Sequence, residues 1–243
     1  KIGRNAFHSQ FAVTSNIYFF GDAPVSVYKN DGNWSASFER YHKLFYLKEK
    51  SGWDVDANGL WNGYEINEYV DYGAVEFDES IYVASGYCGK GPNRGENLAW
   101  GIDSYGELTV FGKGPMMDYS EIHNQMYELP WEEYVDNINA IKFEKGITYI
   151  GNYVFQDLEN ISGSLVLPEG IIHVGEYAFS DSNISGELIL PSTLKKVEQS
   201  AFRNNDFEGE LVFPEGMEKI GFSSFSGTIP HLSQYTTGIG APQ

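Results

Sequence analysis

The C-terminal half of the chain repeats one pattern of apolar positions with an offset of 23 residues. The segments LVLPEGIIHVGEYAF (165–179), LILPSTLKKVEQSAF (188–202) and LVFPEGMEKIGFSSF (211–225) share this pattern. An earlier copy, IKFEKGITYIGNYVF (141–155), has one extra residue before its successor. A fixed period of this length indicates a solenoid, in which coils stack because no single coil can bury its apolar side chains alone.

Each copy turns two groups of apolar side chains towards one interior. In the first group, Leu165 and Leu167 alternate with an outward Val166, which is the pattern of a short strand. Proline then ends the strand because it cannot donate to the ladder. The second group is Ile171 and Val174, and a phenylalanine closes the copy. We expect the phenylalanine rings to form a stacked column, here called the spine: Phe155, Phe179, Phe202 and Phe225.

The side chain between the two inward positions of each strand points out of the coil. On successive coils this residue is Lys142, Val166, Ile189 and Val212. Three aliphatic side chains in a row that face solvent would favour contact with a partner. The alternative is that another segment of the chain covers them.

Composition and charge narrow the classes of partner. The 243 residues are 16% aromatic and include 27 glycines, which favours a folded chain with many turns and few long helices. The formal net charge is −18, so nucleic acids and anionic membrane surfaces, which would be repelled, are not expected as partners. No stretch of the sequence is apolar over the length of a membrane span, so membrane insertion is not expected. Cys88 is the only cysteine and is interpreted as a small structural residue.

The repeated motif resembles the BspA-like leucine-rich repeats of bacterial surface proteins. It is L-x-L-P followed by (I/L)-x-x-(I/V)-G-x-x-A-F, over about residues 140–227. The resemblance implies a mainly β repeat solenoid, a right-handed superhelix of coils of about 23 residues. Two positions depart from the family pattern. Asp, Ser and Asn stand where relatives often carry cysteine after Ala-Phe, and Glu198 replaces a turn glycine, so we expect that turn to be shaped differently.

The resemblance continues upstream of the repeats. Residues 88–120, with Pro130 and Trp131 after them, are similar to the β-rich segment that often precedes such arrays. Within this segment, LAWGIDSYGELTVFG (98–112) has the alternation of a hairpin whose turn is Asp103–Gly106. A hairpin there would cover the first coil and protect its exposed edge.

The N-terminal part is similar to the end of another array. The half-phrase IGRNAF (2–7) and the segments 17–24 and 45–66 carry this similarity, which implies a slice of a longer tandem protein. Four regions follow from the resemblance: the β-rich end of an upstream array (1–78), a β-hairpin cap (79–139), the leucine-rich repeats (140–235) and a tail (236–243).

One loop has the spacing of a calcium-binding motif. DVDANGLWNGYE (54–65) places Asp54, Asp56, Asn58 and Glu65 at the positions of the ligands, with a glycine at the sharp turn. An EF-hand also needs flanking helices, whereas the resemblance makes this a β segment. We therefore expect a polar hairpin loop with an Asn-Gly turn and no cofactor, with calcium as the less favoured alternative.

The remaining candidates for chemistry are weak. Glu132 and Glu133 are adjacent carboxylates beside Trp131, in a stretch that reads as a short solvated helix. The histidines have no metal-ligand spacing: His8, His42, His123, His173 and His231. Aromatic residues crowd the N-terminal part, and they either fill a small β core or form an exposed platform for sugar rings: Trp34, Trp53, Trp61, Tyr64, Tyr69 and Tyr72.

The sequence thus predicts a binding protein without catalytic function. By analogy with the family, we expect a secreted or surface-attached bacterial protein that binds a host or matrix protein through the outward ladder. Two alternatives remain open. One is a carbohydrate-binding module that uses the N-terminal aromatic residues on a glycan, and the other is a structural spacer that binds nothing.

Overall fold

The structure, a computed structural model, describes residues 15–24, 42–62, 64–90, 95–119 and 129–228. The chain forms two compact units, Lys1–Asp71 and Tyr72–Gln243. The predictions made for IGRNAF (2–7), Trp34 and the tail (236–243) lie outside the described residues. The assignment of the N-terminal region to an upstream array stays a prediction.

The first unit contains parallel strands from successive segments. Its described strands are β1 (Ser15–Phe19), β2 (His42–Leu47), β3 (Leu60–Trp61) and β4 (Tyr64–Tyr69). The strands β1, β2 and β4 pair in parallel, so that Ile17, Leu44 and Ile66 form one row. The strands β3 and β4 form an antiparallel hairpin, and Asn62 in its turn has a φ of 51°. Parallel pairing of consecutive segments is the geometry of stacked coils.

Aromatic rings fill the core of the first unit. Trp53, Trp61 and Tyr64 are all buried. The ring of Trp53 lies 4.6 Å from that of Trp61 and 5.3 Å from that of Tyr46, measured between centroids. The interpretation that the rings fill a small β core is therefore correct for these three residues, and the alternative of an exposed platform for sugars is not, because packing leaves no ring face free to stack on a ligand.

The second unit is a solenoid with a hairpin cap. Its first strands are β5 (Ala84–Tyr87), β6 (Leu98–Ile102), β7 (Glu107–Gly112), β8 (Gly114–Pro115) and β9 (Ala140–Phe143). The coils then contribute β10 (Ile147–Ile150), β11 (Leu165–Val166), β12 (His173–Val174), β13 (Leu188–Ile189), β14 (Lys196–Val197) and β15 (Lys219–Ile220). Two short 3-10 helices, Glu79–Ile81 and Glu132–Asn137, complete the described elements.

The predicted hairpin cap is confirmed. Strands β5, β6 and β7 pair antiparallel, and the turn between β6 and β7 is closed by Asp103, whose Oδ1 accepts the amides of Tyr105 and Glu107 at 2.8 and 3.0 Å. Strand β7 then pairs in parallel with β9, the first strand of the repeats. The cap therefore satisfies the backbone groups at the edge of the first coil.

The coils stack through two parallel ladders. The strands predicted from the L-x-L-P phrase form one of them, β11 with β13. A second and longer ladder has the order β8-β10-β12-β14-β15. All its strands except β8 come from the I-x-x-V phrase, which was predicted only to face the interior. The coils at 141–155, 165–179 and 188–202 thus contribute two strands each, in separate sheets, and the coil at 211–225 contributes one.

The spine runs through the centre of the solenoid as the repeat predicts. Phe155, Phe179 and Phe202 have no exposed surface. Successive rings are 5.1, 5.4 and 5.3 Å apart from Phe155 to Phe225, and their planes differ by 13°, 2° and 15°. Trp131 extends the column at its start, because its ring stacks 5.2 Å from Phe155 at an angle of 7°. Stacked aromatic rings thus run from the cap through every described coil.

A second interior column is polar. Ser182, Asn205 and Thr228 each stand three residues after a spine phenylalanine and are buried. Asn205 Nδ2 donates to the carbonyls of Phe179 at 2.6 Å and Phe202 at 3.0 Å, and its Oδ1 accepts the amide of Ile184 at 3.1 Å. Ser182 Oγ donates to the carbonyl of Phe155 at 2.5 Å. These side chains satisfy backbone groups that the coil geometry leaves inside.

Candidate functional site

The outward ladder lies exposed on the repeats, as predicted. Val166, Ile189 and Val212 are 50%, 46% and 55% exposed, and no described segment covers them. Val166 pairs with Ile189 across β11 and β13, and Val212 occupies the same position in the next coil. We call these three residues the aliphatic strip. The ladder amides beneath the strip are occupied between coils, as in the bond from Leu167 N to Ile189 O, so side chains make up its contact surface.

Lys142 lies at the start of the same face, one coil before Val166. It is exposed on β9, a neighbour of β11, and its Nζ is 3.6 Å from Glu107 Oε1 on the cap. The predicted contact ladder therefore begins with an ion pair between coil and cap, and its apolar part starts at Val166.

Three exposed carboxylates border the aliphatic strip, and we call them the acidic border: Glu187, Glu208 and Glu210. Glu187 and Glu210 stand two residues before Ile189 and Val212, so they point to the same face. Glu208 lies opposite Glu187 in a parallel bridge. Within the described ranges, no lysine or arginine pairs with any of the three.

The acidic border was missed by the sequence analysis. Its signal was present in the strings ELI and ELV, where glutamate alternates with the outward aliphatic residue. Glu208 has no such signal, because the turn at Gly209, with a φ of 85°, shifts its pairing relative to the repeat.

The second ladder has a different chemistry. Its outward row is Tyr149, His173, Lys196 and Lys219, one from each of β10, β12, β14 and β15. Two carboxylates beside this row are paired: Glu198 lies 3.0 Å from His173 Nε2 and bonds to Lys219, and Glu218 lies 3.8 Å from Lys196 Nζ. These pairs join the coils at 165–179, 188–202 and 211–225 to one another.

Glu198 is the residue that replaces a turn glycine. Its amide donates to Val174 O at 3.0 Å, just as the amides of Gly175 and Gly221 donate to the coil before them. The prediction of a differently shaped turn is therefore wrong in this respect, because Glu198 makes the same backbone hydrogen bond as the two glycines. Burial alone would raise the pKa of Glu198, but the bond and charge of Lys219, together with His173, outweigh it and lower the pKa.

A partly buried polar cluster joins the cap to the first coil. Tyr149 OH donates to Asp118 Oδ1 at 2.5 Å, and Lys90 Nζ lies 2.6 Å from Asp118 Oδ2. Burial raises the pKa of Tyr149, and the hydrogen bond to Asp118 adds to this. For Asp118 the bonds from Lys90 and Tyr149 outweigh burial and lower the pKa. The two charged groups, Lys90 and Asp118, pair with each other, so we interpret the cluster as a structural contact between the cap and the first coil.

In the loop with the calcium-motif spacing (54–65), the side chain of Asp56 stabilises a turn. Asp56 Oδ1 accepts the amides of Asn58 at 2.8 Å and Leu60 at 3.0 Å. Asp54, Asp56, Asn58 and Glu65 are exposed. Across the described parts of the chain, no three acidic, histidine or cysteine side chains lie close enough together to hold a metal ion. Asp56 therefore forms a polar turn before the hairpin, and the absence of calcium from the loop stays a prediction.

The other candidates are structural. Glu132 and Glu133 are exposed at the start of a 3-10 helix, as predicted. Cys88 is buried, and burial raises the pKa of its thiol, so the reactive thiolate is disfavoured. Of the described helices, none is both long and apolar enough to cross a bilayer.

With this geometry established, the comparisons with known proteins identify the repeats. Residues 133–239 match the sequence model of the "BspA type Leucine rich repeat region" in six copies. This part of the chain is a BspA-type leucine-rich repeat region. Leucine-rich repeats stack into extended surfaces that commonly bind other proteins, and the aliphatic strip lies on such a surface within this region.

Two solved structures are similar to the chain. One is a leucine-rich repeat protein from Eubacterium ventriosum, with 25% identity and a TM-score of 0.48, over 59% of this chain and 36% of that one. The other is a leucine rich cell surface protein from Faecalibacterium prausnitzii, with 12% identity and a TM-score of 0.34, over 58% of this chain and 52% of that one. The chain thus spans about a third and a half of their lengths. A comparison with proteins of curated function gives no match.

Proposed function

We propose that the chain is a non-catalytic protein-binding module of a secreted or surface-attached bacterial protein, and that the aliphatic strip is its contact surface. The observation that carries this proposal is the exposure of Val166, Ile189 and Val212 in one row. The row lies over coils that are joined by backbone hydrogen bonds, so binding would not have to form this backbone structure first. An exposed aliphatic row is a typical feature of protein contact sites.

A binding assay with paired variants tests the proposal. Extracellular-matrix proteins are immobilised, and the chain is compared with the triple variant Val166→Ser, Ile189→Ser and Val212→Ser. The control carries the same kind of change at three other exposed aliphatic residues of the second unit: Ile81, Val83 and Ile172. We expect the strip variant to lose binding and the control to retain it.

Two results would contradict the proposal. One is equal binding by the strip variant and the control variant. The other is the absence of binding to any matrix protein, which would favour the structural spacer. Melting curves of both variants check that serine at these exposed positions leaves the fold intact.

A further inference from the structure

The acidic border lies unneutralised beside the aliphatic strip. Glu187 and Glu208 face each other on neighbouring coils, and Glu210 follows in the register of Glu187. Like charges directly opposite each other on neighbouring strands repel. Over the described residues, Glu198 and Glu218 beside the second ladder have cationic partners, whereas the acidic border has none. The border thus combines uncompensated charge with the apolar side chains of the strip on one described surface.

The shape of this region favours a macromolecule. The gap between the coils next to Glu208 and Glu210 is lined by Leu188, Phe207 and Leu211, and it admits no water molecule. Small-molecule sites are concave and enclose most of their ligand. The strip and its border therefore form an open surface, which suits a protein segment that lies across the coils.

The spacing of the two rows matches one kind of side chain. Positions two residues apart on a strand, such as Glu187 and Ile189, are separated by roughly 6.6–6.8 Å. Lysine and arginine carry an apolar stem of similar reach that ends in a cation, and they lay such stems along apolar surface while the charged head stays in water. One such side chain can cover the aliphatic row and place its charge at the acidic row.

We propose that the aliphatic strip and acidic border together bind a lysine- or arginine-rich protein segment. The stems contact Val166, Ile189 and Val212, and the cationic heads pair with the acidic border. This inference rests on the proposed function, since it names the chemistry of the partner for the same surface.

The test uses two labelled peptides of equal charge, octalysine and the octamer of 2,4-diaminobutyrate, whose stems are two methylenes shorter. Fluorescence anisotropy measures their binding to the whole chain. We expect octalysine to bind about fivefold more tightly or better, because each buried methylene adds to affinity. Equal affinities would overturn the proposal, because they would show that net charge alone attracts the peptide.

Two triple variants with the same change of net charge locate the site. One is Glu187→Gln, Glu208→Gln and Glu210→Gln. The other neutralises three exposed carboxylates outside the border: Glu132, Glu133 and Glu159. We expect the border variant to bind octalysine about tenfold more weakly, as for the loss of several surface ion pairs. The control should change less than about twofold. An equal loss in both variants would refute the site.

Competition separates this inference from the proposed function. If a matrix protein binds through the aliphatic strip but octalysine does not displace it, the proposed function stands and the cationic partner is refuted. If no matrix protein binds, the proposed function fails, while the peptide and variant measurements still decide the inference.

Discussion

Replacing Phe202 with alanine tests the stacking of the coils most directly. Its ring has no exposed surface and lies between Phe179 at 5.4 Å and Phe225 at 5.3 Å, with Phe207 against its edge at 6.1 Å. The substitution therefore removes contacts with three rings at once. It opens a cavity that the coils cannot close, because their spacing is fixed by backbone hydrogen bonds on both sides.

The size of the effect follows from these contacts. Burying one phenylalanine contributes about 1.5–3 kcal/mol, and each aromatic pair adds about 0.5–1.5 kcal/mol. With the cavity included, phenylalanine to alanine in a core costs about 3–5 kcal/mol. A domain as large as the second unit loses roughly 2–4 °C of melting temperature per kcal/mol. We therefore expect Phe202→Ala to melt roughly 6–20 °C lower.

The matched control is Phe222→Ala in the next coil, since that ring is 81% exposed. The control should change stability by less than about 0.5 kcal/mol. Thermal melts give the size of the effect, and hydrogen exchange shows whether protection is lost in the repeats while the β2 and β4 peptides keep theirs. Equal melting temperatures for the two variants would refute the reasoning, because the stacked column would then contribute nothing.

Three further predictions concern polar side chains. Asn205→Ala should destabilise the repeats by about 1–3 kcal/mol in urea unfolding, because it leaves the buried carbonyls of Phe179 and Phe202 without this donor. Asn160→Ala should cost less, because water can replace the bond of its exposed side chain to Asp136 O. The pKa of Glu198 is lowered in the folded state, so its contribution is present above the ordinary value of 4.5 and is lost as the pH falls through the lowered value. Wild type should therefore lose more stability in acid than Glu198→Gln, and parallel acid titrations would contradict this. Asp56→Ala should cost the first unit about 1 kcal/mol through its turn, and calorimetry with Ca²⁺ after chelation should give no heat of binding.

The register of the coils could be predicted because every coil buries apolar side chains at the same positions of the repeat. Once Phe179, Phe202 and Phe225 recur at one offset, stacking places them on each other, and the alternation of Leu165 and Val166 fixes which side chain faces outward. The hairpin cap was also predictable, since two alternating runs flank a turn at Asp103 that closes on its own side chain.

The second ladder was not predictable because most of its strands are very short. It takes only two residues from each of the last three coils, such as His173 and Val174, and alternation cannot be recognised over two positions. Its outward residues are a tyrosine, a histidine and two lysines, so no single residue type recurs in every coil. Trp131 was missed as part of the spine because it stands outside the register of the repeats, and only the stacked geometry places it on Phe155.

The fate of the N-terminal aromatic residues shows a different limit. Trp53 and Trp61 are both buried. An aromatic-rich sequence looks the same whether its rings fill a core or face a ligand, because the sequence does not show which rings are in contact. Three-dimensional contact decided the question, since Trp53 lies against Phe19, Tyr46 and Trp61. Aromatic richness on its own is therefore weak evidence for a sugar-binding surface.

The contrast between the two ladders gives a reason to place the partner on the strip. A ligand on the second ladder would compete with existing pairs, such as Glu198 with Lys219 and Glu218 with Lys196, and would have to replace them before gaining affinity. A ligand on the aliphatic strip displaces no described pair, and it relieves the repulsion between Glu187 and Glu208. Because the spine and polar column fix the coil spacing from inside, outward residues can change without altering the core. Binding specificity in this solenoid should therefore follow the identity of the strip and its border, and substitutions on the second ladder should change stability more than affinity.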